Sequence, residues 1–236
     1  MNKIVPVALA SLLALSSFGT QALPFLPDVA VGVTGGTAGL GGQITTSILP
    51  FLNVRAQVQG LSFSHSFNED GIDYNGKLKL FTAGAFLDVY PFTKGPRLSA
   101  GLVGNGNKLK LKASCPDTCD VGDLQITGDQ AQVNGNLGFK NFSPYLGLGF
   151  TNPMGGLPFY IGFDAGVLFH GRPKPSLRIS GVADVTDADG TTRTNVDLST
   201  DAAVQNALSD ETVNLADDVK DFKFYPVVQI NLGWRF

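Results

Sequence analysis

Residues 222–236 read FKFYPVVQINLGWRF. Taken every second residue, Phe222, Phe224, Pro226, Val228, Ile230, Leu232, Trp234 and Phe236 fall on one face. Lys223, Tyr225, Val227, Gln229, Asn231, Gly233 and Arg235 fall on the other. Successive side chains of a β-strand point to opposite faces. One face of this strand is therefore wholly apolar, and the other is mostly polar with charge at both ends. A sheet with one face on a core and one in water alternates in the same way. What lies against the apolar face is decided by the rest of the chain.

The same period recurs upstream. Val29, Val31 and Val33 alternate with Ala30 and Gly32, and Leu40 and Ile44 alternate with Gln43 and Thr45. Over 53–66, Val54, Ala56 and Val58 oppose Arg55, Gln57 and Gln59, until Leu61 and Phe63 become the apolar members after Gly60. A glycine at a phase change predicts a bulge. A second phase change falls within 77–90. Segments 97–110, 130–140, 144–150, 157–170 and 176–185 alternate as well. In 157–170, Phe159, Ile161 and Phe163 oppose Tyr160, Gly162 and Asp164.

Charged residues make up 16% of the chain, below the usual quarter. The net charge of −3 argues against a nucleic-acid partner, which needs a basic surface. Residues 1–22 read as a signal peptide: Lys3 gives the positive start, 4–15 (IVPVALASLLAL) the apolar stretch, and Thr20-Gln21-Ala22 the cleavage end. The mature chain, 23–236, is read as a single domain. Beyond the signal no apolar run is long enough for a membrane helix. The other structure that satisfies its backbone in lipid is a closed barrel.

Segments of about ten residues with one apolar and one polar face are the mark of a transmembrane barrel. The reading is thus all-β: a closed antiparallel transmembrane β-barrel of ten strands, with eight as the alternative count. Short links are expected on the periplasmic side at 48–52, 91–96, 141–143 and 171–174. Longer external loops are expected at 67–76, 111–129, 152–156 and 186–221. The last is acidic, and Ser199 or Thr200 is placed to cap a short helix in it. An interior of eight to ten strands is narrow enough for side chains to fill, which argues against a general porin. Arg55, Asp88, Arg97, Asp164, Arg178 and Arg235 fall on polar faces near short-link ends. They are expected to meet in the lumen, because buried charges persist only when paired.

The alternating strands, the signal peptide and the terminal Gly233-Trp234-Arg235-Phe236 resemble small outer-membrane β-barrel proteins of Gram-negative bacteria. GKLKLFTAGAFLDVYPF (76–92) and FYPVVQINLGWRF (224–236) resemble proteobacterial outer-membrane proteins without assigned function. The resemblance implies an outer-membrane location and lipid and lipopolysaccharide as surroundings. It also implies that Trp234 and Phe236 are read by the barrel-assembly machinery.

The remaining candidates carry little chemistry. Cys115 and Cys119, the only two cysteines, are expected to form a local disulfide in an oxidising compartment. A zinc pair is the alternative, but no further Cys or His stands nearby to complete four ligands. His65 lies among Ser62, Ser64 and Ser66, a Ser–His combination that in principle makes a nucleophile and base. Adjacent strand residues point apart, so catalysis is not expected. Asp187-Ala188-Asp189-Gly190 is half of a calcium loop and lacks its closing Glu. Lys77, Lys79, Lys108, Lys110 and Lys112 lie toward external strand ends. They read either as contacts to lipopolysaccharide phosphates or as lysines that mark the membrane boundary. No metal and no cofactor is expected. The functional reading is a non-catalytic outer-membrane protein with a structural, adhesive or narrow-path permeation role. A lipid-A-modifying hydrolase or acyltransferase and a small-molecule channel are the alternatives.

Overall fold

The computed structural model describes residues 28–69, 72–92, 95–115, 117–155 and 157–236, and residues 1–22, read above as a signal peptide, lie outside them. The elements, in chain order, begin with β1 (Val29–Gly36), β2 (Gly39–Leu49), β3 (Leu52–Glu69), β4 (Ile72–Val89) and β5 (Pro96–Asn105). Then come β6 (Lys108–Cys115), β7 (Thr118–Val121), β8 (Leu124–Thr127), β9 (Ala131–Gly138), β10 (Phe142–Phe150) and β11 (Phe159–Leu168). The chain finishes with β12 (Lys174–Ser180), β13 (Val182–Thr186), β14 (Thr192–Asp197), α1 (Ala202–Asp218) and β15 (Tyr225–Arg235).

Eight strands, β1–β2–β3–β4–β5–β10–β11–β15, form a ring in one sheet, each antiparallel to its neighbours. The opening stretch supplies the closure. β15 pairs with β1, with Val33 opposite Leu232, and on its other edge with β11, with Phe163 opposite Ile230. One end of the ring, where β1 begins and β15 finishes, carries the links 50–51, 90–95 and 151–158. The far end carries the links 37–38 and 70–71 and the two excursions 106–141 and 169–224.

The ring has the smaller of the two strand counts the sequence allows, for a definite reason. At 141–143 and 171–174 the chain bends and continues in the same direction instead of reversing. β6 carries β5 onward in unchanged register against β4: Thr82 faces Asn105 below, and Lys79 faces Lys108 above, with Gly106 and Asn107 between. The amide of Gly106 donates to Phe81 O, and Asn107 Oδ1 accepts from Phe81 N, so the ladder is bridged across the break. β9 runs down into β10 and β11 runs up into β12, and β9 pairs with both β6 and β12. Segments 130–138 and 174–180 thus stack above ring strands. Links 141–143 and 171–174 accordingly lie at the far end, and 152–156 lies at the near end, the opposite of the expected sides.

The phase change at Gly60 is not a bulge. β3 and β4 pair without interruption from Leu52–Val89 to Glu69–Ile72, with Gly60 opposite Phe81. What changes is the surroundings. Below Gly60 the outward residues are Val54, Ala56 and Val58, facing Leu87, Ala85 and Ala83. Above it they are Ser62 and Ser64, facing Lys79 and Lys77. The only register shift between β2 and β3 lies at Ser47/Leu49.

Within the ring the usual distribution is inverted. Outward residues are large, apolar and open, with Leu148 62% and Ile161 59% exposed. Inward residues such as Asn53, Arg55, Asp88, Asp164 and Asn231 are buried and polar. Monomeric proteins in water rarely expose so continuous an apolar surface. A separate apolar core lies beyond the far end. It joins Ile126 and Val185 from the four-stranded sheet β14–β13–β8–β7, Ile179 from β12, Leu198 from the turn after β14, and Val204 and Leu208 from α1. The helix is longer than expected, and its cap is Asp201, which accepts from Val204 N. Arg193 bonds both Asp187 and Asp201 and fastens the β13–β14 hairpin to the helix start.

Candidate functional site: the charged lumen

Four strands deliver four charges to the near half of the ring interior. Arg55 comes from the start of β3, Asp88 from the end of β4, Arg97 from the start of β5 and Asp164 from the middle of β11. Arg55 donates through Nε to Asp88 Oδ2 at 2.8 Å and through Nη2 to Asp88 Oδ1 at 3.2 Å. Arg97 Nη2 reaches both oxygens of Asp164, at 2.6 and 2.7 Å, and its Nη1 lies 3.9 Å from Asp88 Oδ2. The two pairs form one cluster with no net charge. Every member is almost fully removed from solvent, from 0% for both aspartates to 3% for Arg97.

Neutral groups complete the cluster. Ser99 Oγ donates to Asp88 at 2.6 Å, and Asn231 Nδ2 and Gln229 Nε2 donate to Asp164 at 2.5 and 3.2 Å. Gln57 accepts from Arg55 and donates to Gln229 at 2.9 Å. Arg97 Nη1 also donates to Tyr90 Oη at 3.2 Å and to Thr151 O at 3.3 Å. Thr151 holds φ of 130°, costly for a β-branched residue, in the position that aims this carbonyl at Arg97. Charge-assisted, two-pronged bonds of this kind fix geometry as well as charge.

Above the charges the lumen turns apolar. Phe86, Val103, Tyr145, Leu168 and Val227 pack together, and the Phe86 ring meets Tyr145 edge-on at 5.3 Å while the Arg55 guanidinium lies 4.5 Å from its centre. The directly paired Gly147 and Gly166 leave the wall bare where the Tyr145 ring lies against it. A Cβ on either would overlap the Tyr145 hydroxyl. Gly32 and Gly233, also paired, do the same for Tyr160. The gap left between these layers, bordered by Gln57, Thr82, Phe86 and Gln229, has a volume of about 20 Å³, room for roughly one water.

Not every candidate from the sequence reaches this cluster. Arg178 stands exposed on β12, outside the ring, because the chain does not reverse at 171–174. Arg235 lies at the near rim, where Nη1 donates to Met154 O at 2.8 Å. His65 shares its face with Phe63, on which it stacks at 6.2 Å, while Ser66 on the opposite face accepts from Asn75. Asp187 and Asp189 belong to the β13–β14 turn, with Asp189 Oδ1 accepting from Thr191 N. Among the described residues no group of three or more His, Cys, Asp or Glu is placed to hold a metal. Cys115 ends β6 and Cys119 lies on β7. Tyr90, Ser99 and Thr151 were not singled out from the sequence. Gln229 and Asn231 were visible as inward positions of the last strand.

No family model and no curated protein matches this chain. Among solved structures, CarO2 of Acinetobacter baumannii is similar at 20% identity and a TM-score of 0.56, over 89% of this chain and 99% of that one. CarO of the same organism is similar at 20% identity and a TM-score of 0.54, over 88% and 97%. The chain shares the fold of these two proteins. The shared coverage extends to the excursions as well as the ring, since nearly the whole of each chain is matched.

Proposed function

We propose that this chain is an integral outer-membrane β-barrel of a Gram-negative bacterium, with a closed lumen and a structural or adhesive role. The ring crosses the membrane and holds the outer sheet and helix above it. The apolar outward belt supports the first part, since lipid is the medium in which such a surface is stable. The Arg55–Asp88–Arg97–Asp164 cluster carries the second. Its four side chains cross the interior and bond one another, and the gap in the apolar layer above them has room for about one water. Permeation through the ring is confined to a narrow path opened by rearrangement of these bonds. Catalysis has no part in this reading.

In the same reading residues 1–22 direct export, Trp234 and Phe236 are the features read by the assembly machinery, and Cys115 and Cys119 are bridged. Conductance across planar bilayers tests the closed lumen. The folded protein is expected to give no stable ohmic steps. Steady steps of porin size in the unmodified protein would overturn the reading. Mass spectrometry of lipid A from cells with and without the protein checks the non-catalytic part, and a changed mass would contradict it.

A further inference from the structure

The outward face of the sheet above the ring concentrates positive charge. Lys77 stands directly opposite Lys110, Lys79 opposite Lys108, and Lys112 opposite Asn75. Paired residues share a face, and those two apart on a strand share it as well. Lys77, Lys79, Lys108 and Lys110 therefore form a rectangle about 5 by 7 Å at the backbone, with Lys112 one step higher. Ser62 and Ser64 flank it on β3, and Asn136 and Asn134 on β9. Lys174 and Arg178 extend the same face on β12, opposite Gly138 and Asn134. These seven cations belong to a chain with 17 Lys and Arg and a net charge of −3.

All seven are exposed. The ion pairs among the described residues use none of them. Like charges placed directly opposite destabilise a strand pair, so the arrangement calls for an anion. Its height says which. Lys79 is two residues from Phe81 on the same face of β4, and Phe81 is 46% exposed in the apolar belt. The first cations thus sit about 7 Å above that belt, and Lys112 about 13 Å above Lys108. Lysines that only mark a boundary would ring the whole rim at one level. Lys140 and Lys223 stand elsewhere on the far rim, before β10 and β15, and Lys223 is paired with Asp221 at 3.7 Å; the five along β4 and β6 instead climb through successive levels on one side.

We propose that the face formed by Lys77, Lys79, Lys108, Lys110 and Lys112 binds the phosphate groups of lipopolysaccharide in the leaflet around the ring. The proposal rests on the ring being membrane-spanning. Ammonium groups supply charge at three heights, and the flanking Ser and Asn side chains supply hydrogen bonds to sugar hydroxyls. Lys174 and Arg178 extend the field outward.

Binding of lipopolysaccharide to the full protein folded in non-ionic micelles tests this, with dephosphorylated lipopolysaccharide and linear polyphosphate as the comparison probes. Loss of the phosphates, or the change of Lys77, Lys79, Lys108 and Lys110 together to Gln, is expected to weaken binding by about tenfold or more, since each cation near an anionic surface contributes several-fold. The same four changed to Arg keep binding. A Lys108→Gln, Lys110→Gln double variant, with a smaller loss, serves if the fourfold Gln variant does not fold. Equal binding by the Gln variants, or equal binding of the dephosphorylated lipid, overturns the proposal. So does polyphosphate binding as tightly as the lipid, which would make the partner a soluble polyanion. Insertion into phosphate-free lipid vesicles reads the membrane-spanning ring separately. A protein that inserts and ignores phosphate refutes this proposal alone, and one that does not insert refutes both.

Discussion

Changing Asp164 to Asn leaves the shape of the lumen and removes one charge from it. Asp164 takes four bonds, two from Arg97 Nη2 and one each from Gln229 and Asn231. Asn offers one acceptor oxygen and turns an NH₂ toward groups that are themselves donors. Arg97 is left with two neutral acceptors, Tyr90 Oη and Thr151 O, and with Asp88 at 3.9 Å, whose oxygens already bind Arg55. The cluster becomes singly positive in an interior closed to solvent. Breaking a buried pair from one side costs about 3–5 kcal/mol, mostly for the ion left alone. Removing both partners, as in Arg97→Met with Asp164→Leu, removes that term. The double variant is expected to lose less than the two single losses added together, with a coupling of up to about 3 kcal/mol. Urea unfolding in lipid vesicles measures Asp164→Asn and the four proteins of the cycle: unmodified, Arg97→Met, Asp164→Leu and the double. The single tryptophan of the chain, Trp234, is 50% exposed on the outward face and reports by fluorescence. A loss below about 0.5 kcal/mol for Asp164→Asn, the range of ordinary surface changes, would refute the buried cluster. Strict additivity in the double variant would refute the pairing.

Three further outcomes follow from local geometry. Asp201→Ala removes the cap bond to Val204 N, 3.1 Å long, and a partner of Arg193. It is expected to cost about 1 kcal/mol, seen as faster hydrogen exchange in α1 with the ring unchanged. The Arg193 hydrogen bond, and then the Val204 amide, hold the Asp201 carboxyl below its usual value. A lowered folded-state value stabilises above the ordinary pKa of about 3.9 and is lost as pH falls through the folded one, so the protection of α1 amides, taken relative to their intrinsic exchange rate at each pH, should fall only in that acid range. Gly166→Ala drives a methyl into the Tyr145 hydroxyl and to 2.7 Å from Leu146 O. Overpacking of this kind costs about 1–3 kcal/mol, whereas Gly138→Ala, with nothing within 4 Å, should leave the urea midpoint nearly unchanged. Alkylation of the unfolded, unreduced chain should label neither cysteine, and reduction should expose both; labelling before reduction would contradict the Cys115–Cys119 bridge.

Much of the wall was legible in the sequence, because a period of two is a local property. Residues 225–235 alone show which side chains turn inward, and the same count puts Arg55, Asp88, Arg97 and Asp164 on inward faces near one end. The structure brings these four together. Arg178 follows the same local pattern and ends up elsewhere, because alternation does not say whether Gly171-Arg172-Pro173-Lys174 reverses the chain or only bends it. Gly171 holds φ of 71° and its amide bonds Lys223 O at 3.2 Å, a bend stabilised by residues far along the chain. Asn141 likewise accepts from Asn105 N at 2.6 Å. Gly60 misled for a related reason. Its phase change records the height at which the outward medium changes, and a strand can change medium without changing register. The outer core was hidden because Ile126, Ile179, Val185, Leu198 and Val204 come from separate segments, each mostly polar on its own.

A nitroxide scan along β4 tests the membrane-spanning ring most directly. Probes placed one at a time from Lys77 to Val89 in vesicles report collisions with oxygen, which concentrates in lipid, and with a water-soluble nickel complex. Oxygen maxima are expected at residues 81, 83, 85, 87 and 89, with minima between them, and the nickel signal should take over at 79 and 77. Uniform contact with the nickel complex through 81–89, or a signal without a period of two, would contradict a closed ring in lipid whose boundary lies between Phe81 and Lys79.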